Sequence, residues 1–479
     1  MNGTSVGVHA ALLASCRPGD AVVLARNSHA CAVAACVLSG ARPFFADVPV
    51  CPQLAVAHCC TPEALGEALA KAQAWCDGEG ARRREKQPGA QTPRVALALV
   101  VSPSYFGACA DVTALAAVAH GHAGGTPGGV PLCVDEAHGA HFAFAPQPAQ
   151  LPPPALACGA DLAVQSTHKT LGALTQASML HAGAGCRVPA SRLSAALLAL
   201  QSSSPSYLLL ASLDCARAQA GAGSPGAAGV AAAVRGAAAV RAALARRAPQ
   251  LLLLSPDAHC GRPGVHALDV TRLTVGCRSL GCATGWLAQQ ALSRLGVACE
   301  LAAHSCVVLV LGGGNEGCGD GERLVDALVG LHARALLSGS NTTGSFLDHN
   351  LHSPLPPLPA QPAMACAPRT AFFAARETVA LALAAGRVSA ETLCPYPPVR
   401  HSLIPWFHPP TRAAALTRGA PLQGIPVAFP GGVLAEDALR FLEATLAWGG
   451  KVTGAADPSC QTLQVVARGV LLEEWESTE

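Results

Sequence analysis

The run Asp161–Ser178, DLAVQSTHKTLGALTQAS, carries the most reactive pattern in the chain. A short apolar stretch ends in Ser166-Thr167-His168-Lys169 and is followed by small residues and Gly172. Open α/β sheets place ligands at the carboxyl ends of their strands. A lysine there can be partly desolvated, which lowers its pKa and makes the amine nucleophilic toward an aldehyde. A surface lysine opening a helix fits the same spacing. Lysine is scarce, however: of 32 basic residues only Lys71, Lys86, Lys169 and Lys451 are lysines, so arginine serves almost wherever a charge is enough.

Further upstream, another apolar stretch ends in Val134-Asp135-Glu136-Ala137-His138-Gly139-Ala140-His141. An acidic group at such a strand end suits a protonated ring nitrogen; a metal ligand or a helix cap are the other readings of Asp135. His138 and His141, at i and i+3, have metal-ligand spacing, but no third ligand stands at a useful distance in sequence. Asn2-Gly3-Thr4-Ser5 leads into an apolar helical run, and free N–H groups with two hydroxyls at a helix start suit a phosphate. Arg26-Asn27-Ser28-His29 follows an apolar strand. There an imidazole can stack on a flat cofactor, or Asn and Ser can simply cap a helix.

The elements that must position these residues alternate through the first 180 residues, the pattern of an α/β domain with a mainly parallel sheet covered on both faces. Strands are predicted at Ala21–Ala25, Pro43–Val48, Arg94–Val101, Pro131–Asp135, Asp161–Gln165 and Ser178–His181. Helices are predicted at Val6–Cys16, His29–Leu38, Pro62–Trp75 and Val112–His120. Asp77–Thr92 and Gly121–Gly129 read as surface insertions, and Ala216–Pro249 as a helix pair joined by GAGSPG. The predicted domains are a binding domain over 1–249, a second α/β region over 250–351, a Pro-rich connector over 352–368 and a last α/β piece over 369–479. Within that last piece, Val399–Gln423 is an aperiodic insertion of loop-like, Pro- and Arg-rich composition, better explained by a retained intron than by a functional loop.

Composition limits the function. The chain is 51% apolar and 13% charged with a net charge of +2, which argues against a nucleic-acid footprint or a polybasic membrane surface. Gly, Pro, His or Arg interrupts every apolar run short of the ~20 residues a membrane span needs. Twenty-one cysteines occur without a single C-x-x-C pair, so small buried thiols are expected, not a zinc ribbon or a disulfide framework.

The order NGTS, RNSH, DEAHGAH, STHK resembles the major domain of the Orn/Lys/Arg decarboxylase family, and VQSTHKTLGALTQAS is similar along its whole length to that family's Schiff-base lysine signature. LLALQSSSPSYLLLASLD (197–214), DVTRLTV (269–275), PYPP (395–398) and GIPVAFPG (424–431) continue the resemblance in order. It implies a pyridoxal 5'-phosphate (PLP) enzyme of the aspartate-aminotransferase type, fold type I, with Lys169 forming the Schiff base and Asp135 pairing with the pyridinium nitrogen. His29 would stack on the ring, Ala137 and His138 would contact it, and Thr4, Ser5, Ser166 and His168 would hold the phosphate. Ser203 would reach the phosphate of a neighbouring subunit, so the resemblance implies a homodimer or higher oligomer with shared active sites. The implied reaction is α-decarboxylation of arginine, lysine or ornithine through an external aldimine that displaces Lys169, releasing CO2 and an amine. Localisation is left at a soluble enzyme of cytoplasm or an organelle, a plastid included.

Three departures qualify that expectation. Family members carry a further segment before NGTS, so support of the phosphate site is in question. The family's unbroken YPPG[IV]P is split here by Val399–Gln423. Its PGE becomes Pro430-Gly431-Gly432, removing an acidic partner for the distal end of a basic substrate. An aminotransferase or lyase, for which Arg387 or Arg400 would be a carboxylate partner, and a catalytically degenerate homologue are the competing readings.

Overall fold

The computed structural model describes residues 1–338, apart from 88, 90, 124–127, 145–150, 222 and 314–317, together with 376–380, 400–402, 440–442, 451–453 and 462–466. PYPP (395–398), GIPVAFPG (424–431), Gly432, Arg387 and the connector 352–368 lie outside the described residues. By its internal contacts the chain forms two compact units: residues 1–15, 21–28 and 44–348, and residues 16–20, 29–43 and 349–479.

The strands in the first part of the chain are β1 (Ala21–Ala25), β2 (Arg42–Ala46), the short β3 (Val50–Cys51) and β4 (Val56–Ala57), β5 (Val95–Val101), β6 (Ala108–Cys109), β7 (Leu132–Asp135), β8 (Leu162–Gln165) and β9 (Met179–Ala182). Six of them form one sheet in the order β2-β1-β5-β7-β8-β9. The pairs β1–β5, β5–β7 and β7–β8 are parallel, and β8–β9 is antiparallel. β1 and β5 are rich in Val and Leu, and every residue but Val101 is buried, as helices on both faces require. The α/β, mainly parallel architecture expected from the alternating pattern is the one observed.

The helices of this part are α1 (Thr4–Ser15), α2 (Ala30–Ser39), α3 (Pro62–Lys86) and α4 (Val112–Gly121). α3 packs on β1, β5 and α4, and α4 on β7, whereas α1 packs on β5, β8 and β9. Leu132 and Val134 enter the core beneath α3 and α4 together with Leu65, Leu69 and Leu115. Alternation along a strand therefore turns Asp135 to the opposite face. Its register partner there is Val164, against which Gly7 of α1 packs so closely that an added Cβ would lie 2.5 Å from it. The sheet thus delivers Asp135 to the face that carries α1.

Downstream come α5 (Thr167–Thr170), α6 (Ala190–Leu200), α7 (Tyr207–Ala220), α8 (Pro225–Arg247) and α9 (Pro256–His259). They are followed by β10 (Ala267–Leu268), β11 (Arg272–Gly276), α10 (Gly285–Arg294), β12 (Leu301–Ala302), β13 (Cys306–Val310) and α11 (Asp320–Ser338). β11-β13-β12 is an antiparallel sheet. α7 and α8 are the helix pair predicted around GAGSPG.

Three expectations need correcting. Asp77–Thr92 is not an insertion up to Lys86, because α3 continues through it. Thr61 caps α3, and Glu79 pairs with Arg82 at 3.0 Å and Arg83 at 2.8 Å, the i+3 and i+4 pairing that supports an exposed helix. Within the insertion 399–423, whose composition is loop-like, Arg400–Ser402 is a strand paired with Lys451–Thr453. Finally, Ala228–Arg247 in α8 is long and apolar enough to cross a membrane, although arginines interrupt it. α7 and α11 cover it, and its half-buried Arg241 donates to the carbonyls of Leu254 (2.9 Å) and Arg272 (2.6 Å). Those contacts tie one side of α8 to neighbouring protein.

Candidate active site

Gly3 has a φ of +86°, a left-handed conformation that glycine adopts without strain. Its N–H donates to the Gln176 carbonyl at 2.7 Å, and the Met1 amine donates to the Ser178 carbonyl at 2.7 Å. These bonds hold the start of α1 against the segment that leads into β9. Thr4 Oγ1 consequently hydrogen-bonds Ser166 Oγ and lies 3.2 Å from Ser178 Oγ. Hydroxyls from three segments meet at the first turn of a twelve-residue helix, whose free N–H groups favour an anion. Ser5 sits on the same turn and is exposed. His168 Nδ1 donates to the Ala177 carbonyl at 2.9 Å, which fixes the segment carrying Ser178.

Lys169 stands on the single turn α5, its N–H donating to the Ser166 carbonyl at 3.0 Å. Its Nζ lies 3.1 Å from His138 Nε2. Lys169, Thr170, His141, Asp269 and Arg272 line a cavity of about 440 Å³. Thr170 Oγ1 is buried there without a hydrogen-bond partner. Asp135 is buried at the end of β7. Burial raises its pKa; a positive charge on Lys169, when that amine is protonated, and the Ala137 N–H, which donates to it at 3.2 Å, pull the other way. Next to it, burial lifts Glu136 to about 7, although Gln165 Nε2 (2.6 Å) and the Ala155 N–H (2.9 Å) both donate to it.

Neither histidine of the DEAHGAH run is placed as a metal ligand. Arg272 Nη2 lies 2.7 Å from His138 Nδ1, and His141 Nε2 lies 3.3 Å from Asp269 Oδ2. Arg272 also donates to the Tyr105 carbonyl at 3.2 Å, and its guanidinium carbon lies 5.6 Å from the centre of the Tyr105 ring. That ring packs on His138 at 4.6 Å. Asp269 accepts from the Thr271 N–H (3.0 Å) and hydroxyl (2.6 Å) through Oδ1. Its Oδ2 faces His141 and Arg272 Nε (3.6 Å) as ion-pair contacts. Burial works against its ionisation, but His141, Arg272 and Thr271 outweigh it and bring Asp269 down to about 2.

Sequence reasoning gave no role to Arg272, Asp269, Tyr105 or Ser178. Tyr105 follows the carboxyl end of β5, so the strand-end rule that selected Asp135 and Lys169 would have selected it too. DVTR was visible only as a matching stretch. His29 is the N-cap of α2, its Nδ1 accepting from the Cys31 N–H at 3.0 Å. Ser203 lies exposed between α6 and α7. The cysteines among the described residues are mostly buried.

The residues present fit PLP: an anion-binding helix start lined by hydroxyls, a lysine on a cavity wall, a buried carboxylate near it and an unpartnered hydroxyl at Thr170.

Comparison with known proteins gives the same assignment. The arginine decarboxylase of Bacillus subtilis is 29% identical over 472 residues, covering 97% of this chain and 81% of its own. The arginine decarboxylase of Bacillus cereus is 30% identical over 420 residues, covering 85% and 78%. Among solved structures, lysine decarboxylase A of Pseudomonas aeruginosa superposes with a TM-score of 0.69 at 18% identity, over 98% of this chain and 69% of that one, a likeness of fold. Residues 1–258 match the major domain of the Orn/Lys/Arg decarboxylases, and the chain belongs to that family.

Proposed function

We propose that this chain is a PLP-dependent carboxy-lyase that decarboxylates arginine, lysine or ornithine. The observation that carries the reading is Lys169 Nζ on the wall of a cavity, 3.1 Å from His138, with Asp135 buried nearby and the Thr4–Ser166–Ser178 hydroxyls at the start of α1.

When bound, PLP supplies a ring that accepts the electrons released at the substrate's Cα as CO2 departs. Thr4, Ser5, Ser166 and the α1 N–H groups would hold its phosphate, with His168 tying down the segment that carries Ser178. Asp135 would keep a proton on the ring nitrogen. Its burial favours this role, because a desolvated carboxylate gains most from a cationic partner. His138 would lie beside the ring and Ala137 would fix the Asp135 carboxylate through its N–H, while a stacking role for His29 rests on the resemblance alone. Lys169 would hold the aldehyde carbon until a substrate amine replaces it. It would then remain at the cavity wall, able to hold or return a proton at Cα.

The second subunit belongs to the same proposal. Leu198, Tyr207 and Leu208 are 81%, 78% and 76% exposed around the loop that carries Ser203. Large apolar side chains grouped in this way suit a second copy of the chain, which would bring Ser203 to its neighbour's phosphate. Residues 1–249 would then form the cofactor-binding part and 250–351 the adjoining α/β region.

The test is release of labelled CO2 from arginine, lysine and ornithine by protein reconstituted with PLP. Arginine comes first because the Bacillus relatives are arginine decarboxylases. A visible absorbance band that appears with PLP and is lost in Lys169→Ala, together with CO2 from one of the three, is the expected result. Folded protein that forms no band would overturn the reading. A band without CO2 would favour an aminotransferase or lyase.

A further inference from the structure

Arg272 is a buried cation whose guanidinium stays protonated in a folded protein and has donors only. At 2.7 Å from His138 Nδ1 it must therefore donate, and Nδ1 must accept. A neutral imidazole with Nδ1 accepting carries its proton on Nε2. That proton then faces Lys169 Nζ at 3.1 Å, where only an uncharged amine has a lone pair to receive it. A lysine ammonium in the same place would set a second cationic donor against the one ring that Arg272 already uses.

We propose that Arg272 is a positioning residue: it fixes His138 in the Nε2–H tautomer and so holds Lys169 as the neutral amine that an aldehyde requires. Arg272 is itself locked by the Tyr105 carbonyl and ring and by Asp269. Asp269 in turn is held by Thr271. Charged or titratable groups around Lys169 include Asp135 at the end of β7, His141, Asp269 and Arg272 along the cavity, Tyr105 on the His138 ring and the adjacent His168. The Asp135 carboxylate favours the ammonium, and the Arg272–His138 pair opposes it.

This deepens the reading of Lys169 as the reactive amine, and its test uses neither cofactor nor substrate, so failure of either idea shows separately. Purified apoprotein is labelled with acetic anhydride across a pH series, and each lysine-containing peptide is quantified by mass spectrometry. The exposed Lys71 and Lys86 serve as internal references, and each curve is normalised to its own high-pH plateau to remove differences in access. Lys169 should titrate below the references. In Arg272→Met its midpoint should rise, cutting labelling at pH 7.5 by on the order of ten-fold, one pKa unit. Arg272→Lys, which restores a cationic donor, should recover much of that loss. Coincident curves for wild type and Arg272→Met overturn the proposal. Nitrogen NMR of ¹⁵N-histidine wild-type protein, with the His138 signals identified by their loss in His138→Gln, decides it independently if Arg272→Met does not fold. An unprotonated Nδ1 supports the proposal, and a protonated Nδ1 overturns it.

Discussion

Replacing Asp269 by Asn keeps an oxygen for the Thr271 N–H and hydroxyl but removes the charge facing His141 at 3.3 Å and Arg272 at 3.6 Å. The carboxylate is fully buried and its pKa is lowered from 3.8 to about 2 despite the cost of burial. A folded pKa below the unfolded one means that the unfolded chain binds the proton more readily. The stabilisation is therefore complete above the unfolded pKa and lost as pH falls toward the folded value. A shift of nearly two units corresponds to about 2 kcal/mol at neutral pH, of which about 1 kcal/mol is gone by pH 3. Urea unfolding of wild type and Asp269→Asn between pH 7 and pH 3 measures it. Because every other carboxylate titrates in both proteins, the quantity to follow is the difference between them. It should be about 2 kcal/mol at pH 7 and shrink by about 1 kcal/mol on acidification. A difference that stays constant over that range would refute the charge argument and leave Asp269 as a neutral hydrogen-bond acceptor.

Glu136 carries the opposite sign. Its folded pKa is raised from 4.5 to about 7, so its own contribution to stability is full below pH 4.5 and falls by about 3 kcal/mol as pH rises through 7. Glu136→Gln should flatten that fall in paired urea titrations at pH 5 and pH 8, and an unchanged slope would contradict it. Ser166→Ala removes one of the hydroxyls at the start of α1 and should weaken PLP binding by about 1 kcal/mol, some five-fold, in equilibrium dialysis. Equal affinity would take Ser166 out of the phosphate site. Leu208→Glu places a charge in the exposed apolar group beside Ser203 and should weaken self-association by about 2 kcal/mol, roughly 30-fold, in sedimentation equilibrium. Association indistinguishable from wild type would remove that face from the interface.

Much of the site could be read from the sequence because its parts sit at element ends, and element ends are set by local pattern. The apolar runs before Asp135 and Ser166 each fix a strand. β7 and β8 are parallel neighbours, so their carboxyl ends lie side by side and Asp135 comes near Lys169 without further instruction. Gly3, Thr4 and Ser5 likewise announce the start of α1. The length of α3 was misread because the charged run after Trp75 has loop composition, while its charges pair only in helical geometry. The tertiary structure alone decided what surrounds Lys169. Ser178 reaches Thr4 across 174 residues, and Arg272 reaches His138 across 134. No periodicity records such distances, because closing them depends on how separate elements pack rather than on the preferences of either segment. The sequence determined which amine could react; packing determined the ring and the buried cation that set its protonation.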